Sequence, residues 1–130
     1  MQMENLTKCE QLVMKAVWDA ETELGLMDVV DIVNRRFRKD WKPQTVSTFL
    51  KRLIRKKYLC NYRKGRVFYY QVLIPQETYQ AKITDDFLGF WDHDNADEFL
   101  CSLMQARPLR ADEADRIRRF LAQDRTLEEA

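Results

Sequence analysis

Residues 42–57, KPQTVSTFLKRLIRKK, constrain the fold more than any other stretch of the chain. Val46, Phe49, Leu50, Leu53 and Ile54 recur at the three- and four-residue spacing of one helix face. The same stretch carries six Lys or Arg residues and no acid. Pro43 suits the first helical position, where its missing N–H costs nothing. Such a helix buries one face in a core and holds unbalanced positive charge on the other.

The flanking sequence predicts what it packs against. Thr7 and Glu10 form a capping box, opening a helix that reaches about residue 20, with Leu12, Val13, Ala16 and Val17 on one face. ETELGL has room for a small extended segment. Gly25 then caps a second helix over 26–37, with Asp28 in its first turn and Leu26, Val29, Val30, Val33 and Phe37 facing inward. After the basic helix, which ends near residue 57, residues 58–62 and 67–72 are rich in aromatic and branched side chains. Lys64-Gly65 between them reads as the tight turn of a hairpin. Three helices followed by a hairpin is the order of a winged helix-turn-helix. Pro75 breaks the chain, and three more helices are expected over 76–90, 95–105 and 111–123. The expected class is mostly α with a small β-hairpin wing. Residues 1–74 form the winged unit, 75–123 a helical unit, and 124–130 a frayed tail.

Charge divides the chain in the same place. The net charge is only +1, yet residues 1–74 hold 15 basic and 8 acidic residues, against 7 and 13 over 75–130. Residues 35–66 alone hold 13 basic residues and one acid, Asp40. That concentration suits a polyanion. With the apolar face of the basic helix inward, Gln44, Thr45, Ser47, Thr48, Lys51, Arg52 and Arg55 fall on or beside the outward face. Short polar groups near its start suit base edges, and the cations farther along suit phosphates. Arg63, Lys64 and Arg66 add positive charge at the hairpin tip. Double-stranded DNA is the expected partner.

The last three helices carry more apolar surface than they can cover. Ile83, Phe87, Phe90, Trp91, Phe99, Leu100, Leu103, Ile117, Phe120 and Leu121 need a packing partner, and a second copy of the chain is the simplest one.

LTKCEQLVMKAVWD, KPQTVSTFLKRLIRKKYL and RKGRVFYYQVLI together resemble the penicillinase repressor family, which includes repressors of β-lactamase and methicillin-resistance genes and a copper-responsive branch. TVSTFLKRL and the wing GRVFYY carry the resemblance most specifically. It implies a dimer with two winged helices, a three-helix dimerisation region, and repression through inverted-repeat operators. Thr45, Thr48, Lys51 and Arg52 take the places of the family's recognition-helix residues, and residues 63–66 those of its wing. Three departures stand out. The copper-responsive branch has closely spaced C-terminal cysteines, and here only Cys101 lies there. The β-lactam-responsive members are cut by a protease at an Asn-Phe bond, where this chain reads Ser102-Leu103. Where the family often has Ser before the proline of the reading helix, this chain has Lys42.

Other classes find less support. An RNA-binding or protein-interaction module is the alternative reading, with Tyr62, Phe68, Tyr69 and Tyr70 available for stacking. No phosphate-binding glycine loop, zinc-protease or nucleophile-elbow motif is present, so no enzyme is expected. Cys9, Cys60 and Cys101 are read as reduced, buried thiols without metal-ligand spacing. His93, with acids at 92, 94 and 97, reads as a solvated helix start, so no cofactor or metal is expected. MQMENLTKCE lacks the features of a signal peptide, and no apolar run is long enough to span a membrane. The expected compartment is the cytoplasm.

Overall fold

The computed structural model describes residues 3–91 and 95–123. Its elements are α1 (Lys8–Trp18), β1 (Leu24–Gly25), α2 (Leu26–Phe37), α3 (Pro43–Arg55), β2 (Leu59–Lys64), β3 (Val67–Val72), α4 (Gln76–Phe90), α5 (Ala96–Ala106) and α6 (Ala111–Gln123). They divide into two compact units, Met1–Lys82 and Ile83–Ala130. His93, read as a solvated helix start, and the tail at 124–130 lie outside the described residues.

In the first unit, α1, α2 and α3 pack on one another over a core that includes Val13, Met14, Val29, Val33, Val46, Leu50, Leu53 and Tyr58. The amphipathic spacing of α3 delivers Val46, Leu50 and Leu53 fully inside, with Phe49 and Ile54 at the margin. The strands form an antiparallel sheet in the order β1-β3-β2. Lys64 pairs with Val67, so the turn residues are Gly65 and Arg66. This shifts the expected turn, Lys64-Gly65, by one position. The reason is conformational: Gly65 has φ of +67°, which a residue without Cβ adopts freely, and Lys64 stays in the strand.

Tyr79, in the first turn of α4, is buried in this unit. It accepts a hydrogen bond from Gln11 Nε2 at 2.9 Å, and its ring lies 5.5 Å from Trp18 and 5.8 Å from Tyr58. Trp18 Nε1 donates to the Ile74 carbonyl at 2.9 Å. The winged unit therefore extends past Pro75 to Lys82, because these contacts hold the start of α4.

The capping box at Thr7 does more than start a helix. Glu10 Oε1 accepts from the Thr7 N–H at 2.8 Å and also from Lys56 Nζ at 2.7 Å. Glu10 is 1% exposed at its side chain and Lys56 11%. Burial alone would raise the Glu10 carboxyl, but the Lys56 ammonium and the Thr7 bonds outweigh it and hold the carboxyl below its usual range. Lys56 thus faces the interior and ties the end of α3 to the start of α1.

The second unit is different. No residue of α5 or α6 is buried. Phe90 is 75% exposed, Phe120 65% and Trp91 59%, with Ile83, Phe87, Leu100, Leu103, Met104 and Leu121 also exposed. Phe99 and Ile117 are half-buried. Phe87 meets Phe99 edge-on at 5.8 Å, and Phe90 meets Trp91 at 4.9 Å. Across the Pro108 break, Arg107 grips Glu113 through two bonds of 2.9 and 2.8 Å. The Arg107 guanidinium, helped by the Arg110 N–H, holds the Glu113 carboxyl down at about 2. Cys9 and Cys60 are half-buried and Cys101 is exposed, so the thiols are not the core residues expected. The reason is placement: Cys101 lies on α5, which buries nothing. Among the described residues, no helix is long and apolar enough to cross a membrane.

Candidate nucleic-acid interface

The outward side of α3 carries the residues singled out by spacing. Gln44, Thr45, Thr48, Lys51, Arg52 and Arg55 are exposed, and Ser47 is half-buried. Lys42 is exposed at the N-cap, where it makes no side-chain cap. The stripe Thr45, Thr48, Arg52 follows the three- and four-residue step of a helix, so hydroxyls give way to cations along one line. None of Lys42, Lys51, Arg52 or Arg55 has an ion-pair partner among the described residues, so their charge is free for a ligand.

Two side chains depart from simple expectation. Thr48 Oγ1 donates to the Gln44 carbonyl at 3.0 Å. Its proton is committed, which leaves an acceptor oxygen and a methyl for a ligand. Lys56, in the same basic run, is spent on Glu10. Spacing could not find that pair, because its members lie 46 residues apart.

The wing approaches the same helix. Ser47, Lys51 and Ile54 of α3 share a groove with Asn61, Arg66, Val67 and Phe68 of the hairpin and with Gly25, Leu26, Met27 and Asp28. Lys51 and Arg66 therefore carry cations on its two walls. Arg63, Lys64 and Arg66 are all exposed. The Arg63 guanidinium lies 5.8 Å from the Phe68 ring, and its Nε donates to the Gly65 carbonyl at 2.9 Å. That bond holds Arg63 against the turn. The Tyr62 and Tyr69 rings stack on each other at 5.8 Å.

Elsewhere the basic run is partly neutralised. Arg35 pairs with Asp31 at 3.0 Å and Arg36 with Asp19 at 2.7 Å. Arg38 closes α2 in the left-handed conformation, φ 56°. Lys57 does so after α3, φ 67°. Asn34 bridges the turn between α2 and α3: its Nδ2 donates to the Trp41 carbonyl and its Oδ1 accepts from the Trp41 N–H, both at 2.9 Å. This clamp fixes the approach to α3, and an isolated Asn in a helical pattern gave no signal of it.

No group of three or more His, Cys, Asp or Glu that could hold a metal ion occurs among the described residues. The arrangement offers hydrogen-bonding groups and cations to an extended anionic ligand.

This layout agrees with what the chain resembles. It is 26% identical over 106 residues to an uncharacterized 16.5 kDa protein in the ptsI 3′ region of Latilactobacillus sakei, covering 82% of this chain and 64% of that protein. It is 24% identical over 116 residues to the penicillinase repressor of Bacillus licheniformis, covering 89% of this chain and 88% of that one. Over the same number of residues it is 20% identical to the methicillin resistance regulatory protein MecI of Staphylococcus aureus, covering 89% and 92%. Its fold is similar to the solution structure of the Bacillus licheniformis BlaI monomeric form in complex with the blaP half-operator, with a TM-score of 0.50 and 29% identity over 60% of this chain and 92% of that one. A family profile described as penicillinase repressor matches residues 6–123. With α3, the hairpin and the helical C-terminal region all inside that span, the chain belongs to the penicillinase repressor family.

Proposed function

We propose that the chain is a dimeric, sequence-specific DNA-binding transcriptional repressor whose two winged units engage the half-sites of an inverted repeat. The carrying observation is the α3 face, where Gln44, Thr45 and Thr48 precede Lys51, Arg52 and Arg55, with the cationic wing tip across a shared groove. The polar start enters the major groove, and the cations take the flanking phosphates. The relative of similar fold is described as bound to a half-operator, in keeping with one winged unit per half-site. The exposed apolar residues of the second unit favour a homodimer, and two joined half-site binders gain avidity that one lacks.

Release by proteolysis at Ser102–Leu103 fits this scheme, since a cut there would divide the dimerisation region. The bond lies inside α5, so a protease must first unwind that helix. The test is a blot of this chain before and after induction: intact protein in both states, with changed target transcription, sinks cleavage as the switch.

The binding test is a selection from random duplex DNA, followed by anisotropy titration of the selected duplex against its scramble at two salt concentrations. A two-fold symmetric winner with a large preference over the scramble is expected. Thr45→Ala and Thr48→Ala should weaken the selected duplex more than the scramble. Lys64→Gln and Arg66→Gln should weaken both and lower the salt slope by about one each. Equal, salt-sensitive binding to every duplex would overturn sequence-specific repression. The RNA-binding alternative predicts that single strands compete better than duplex. Tyr62 and Phe68 are already engaged, by Tyr69 and Arg63, which disfavours it.

A further inference from the structure

We propose that the turn between α2 and α3 is a second DNA-backbone contact. In it the Trp41 indole N–H donates to one phosphate oxygen, and Lys39 and Arg52 face the phosphates on either side. This rests on the reading of the chain as a duplex-binding protein and extends it from Arg52 on the reading face to Lys39 and Trp41, which lie outside both that face and the wing.

Four side chains form a continuous row. Lys39 Nζ lies 5.9 Å from the Trp41 ring, the Trp41 and Phe49 rings are 5.1 Å apart, and the Arg52 guanidinium lies 5.6 Å from the Phe49 ring. The order is cation, aromatic, aromatic, cation. The row starts on the reading stripe, because Arg52 continues the line of Thr45 and Thr48. It then runs outward to the turn that precedes the helix N-terminus. When that N-terminus enters a major groove, the preceding turn meets the sugar–phosphate wall of the groove.

The indole N–H supplies the second observation. Trp18 Nε1 donates to a carbonyl. Trp41 Nε1 has no partner among the described residues, and no buried side-chain nitrogen lacks one. The Trp41 N–H is therefore open to solvent, although the ring is half-buried against Phe49. Indole N–H groups are donors only, and a phosphate oxygen is an acceptor only. Neither Lys39 nor Arg52 has an ion pair among the described residues, so nothing competes for their charge. The Asn34 clamp fixes the Trp41 backbone through both of its polar groups. The donor is thus presented from a fixed turn, and its ordering cost is met by folding.

The test titrates wild type, Trp41→Phe and Lys39→Gln against the selected duplex and its scramble. Trp41→Phe keeps an aromatic ring beside Phe49 and removes the donor together with the second ring of the indole. It should weaken both duplexes by the same factor, about three- to tenfold, with an unchanged salt slope. Lys39→Gln, at an exposed site, should weaken both and lower the slope by about one. Single neutral methylphosphonates are then walked along the flanks of the half-site. At one position wild type and Trp41→Phe should bind alike. Wild-type affinity of Trp41→Phe for both duplexes would overturn the proposal. So would a loss confined to the selected duplex, which marks Trp41 as only a positioner of α3. A wild-type protein with no preference for the selected duplex would instead sink the repressor reading, leaving the backbone contact to be judged on the scramble.

Discussion

The first unit closes on itself, and the second does not. In Met1–Lys82, three helices and a sheet bury Val13, Val33, Val46, Leu53 and Tyr58 completely, and even the buried carboxylate of Glu10 has its cation. From Ile83 on, α5 and α6 bury nothing, although they carry Phe99, Leu100, Leu103, Phe120 and Leu121. Amphipathic helices occur in both units, so periodicity alone does not separate them. The difference is partner supply. The three helices α1, α2 and α3 pack on one another, and α2 and α3 also meet the sheet, whereas the apolar stripes of the second unit outnumber the surfaces available to cover them.

The sharpest way to break this comparison is a matched pair of truncations. Leu53→Ala should cost the first unit about 4 kcal/mol, as large-to-small changes in closed cores do, read by denaturant unfolding followed at Trp18. Phe120→Ala should leave that transition within about 0.5 kcal/mol, as exposed changes do. Its cost should fall instead on the proposed dimer, about 2 kcal/mol in sedimentation equilibrium, as for an interface anchor. Equal effects on first-unit unfolding would erase the distinction between the units.

Removing Lys56 tests the closure of the first unit from its polar side. Lys56→Ala should cost about 3 kcal/mol at pH 8, because it strands a buried charge. With the ammonium gone, burial is opposed only by the Thr7 bonds, so the Glu10 carboxyl pKa rises. A group with a raised folded pKa loses stability as pH climbs through that value, so part of the cost should return at pH 4. A pH-independent loss would deny that Glu10 carries it.

Tyr58 gives a smaller effect. Burial pushes its hydroxyl up to about 12. Its contribution is full below pH 10 and fades as pH rises toward 12. The first unit should therefore lose up to about 2 kcal/mol across that interval, and Tyr58→Phe should flatten the alkaline limb.

The smallest effect belongs to the second unit. In a carboxyl NMR titration Glu113 should have a midpoint near 2, and Arg107→Gln should move it up toward the ordinary carboxylate range. The contribution of this lock is present above that ordinary range and is lost as pH falls through about 2. An unmoved midpoint would mean that Arg107 does not set it.

Local signals were the legible ones. The bounds of α2, α4 and α6 follow from Gly25, Pro75 and the Arg107-Pro108 break, where capping and breaker chemistry act within a few residues. The exposed face of α3 was legible because a 3.6-residue period separates buried from exposed positions. Its last turn was not. The helix stops at Arg55, two residues short, because Lys57 turns left-handed and Lys56 swings to Glu10. The Glu10–Lys56 pair, the Asn34 clamp and the anchoring of Tyr79 need tertiary proximity that no window of sequence displays.

The strand order carries a practical consequence. In the order β1-β3-β2, β2 is an edge, and β1 covers only two residues of β3. Edge strands invite pairing with other chains, and charged side chains are the usual guard against it. Here the guards are Arg63 and Lys64, beside exposed Tyr62, Val67 and Phe68. The wing cations therefore act as guards of colloidal stability, apart from the phosphate contacts proposed for them. Neutralising them to weaken DNA binding would also bare a six-residue template for aggregation. Reversing them to glutamate would repel DNA and keep the edge charged, which makes Arg63→Glu the safer wing variant to handle in solution.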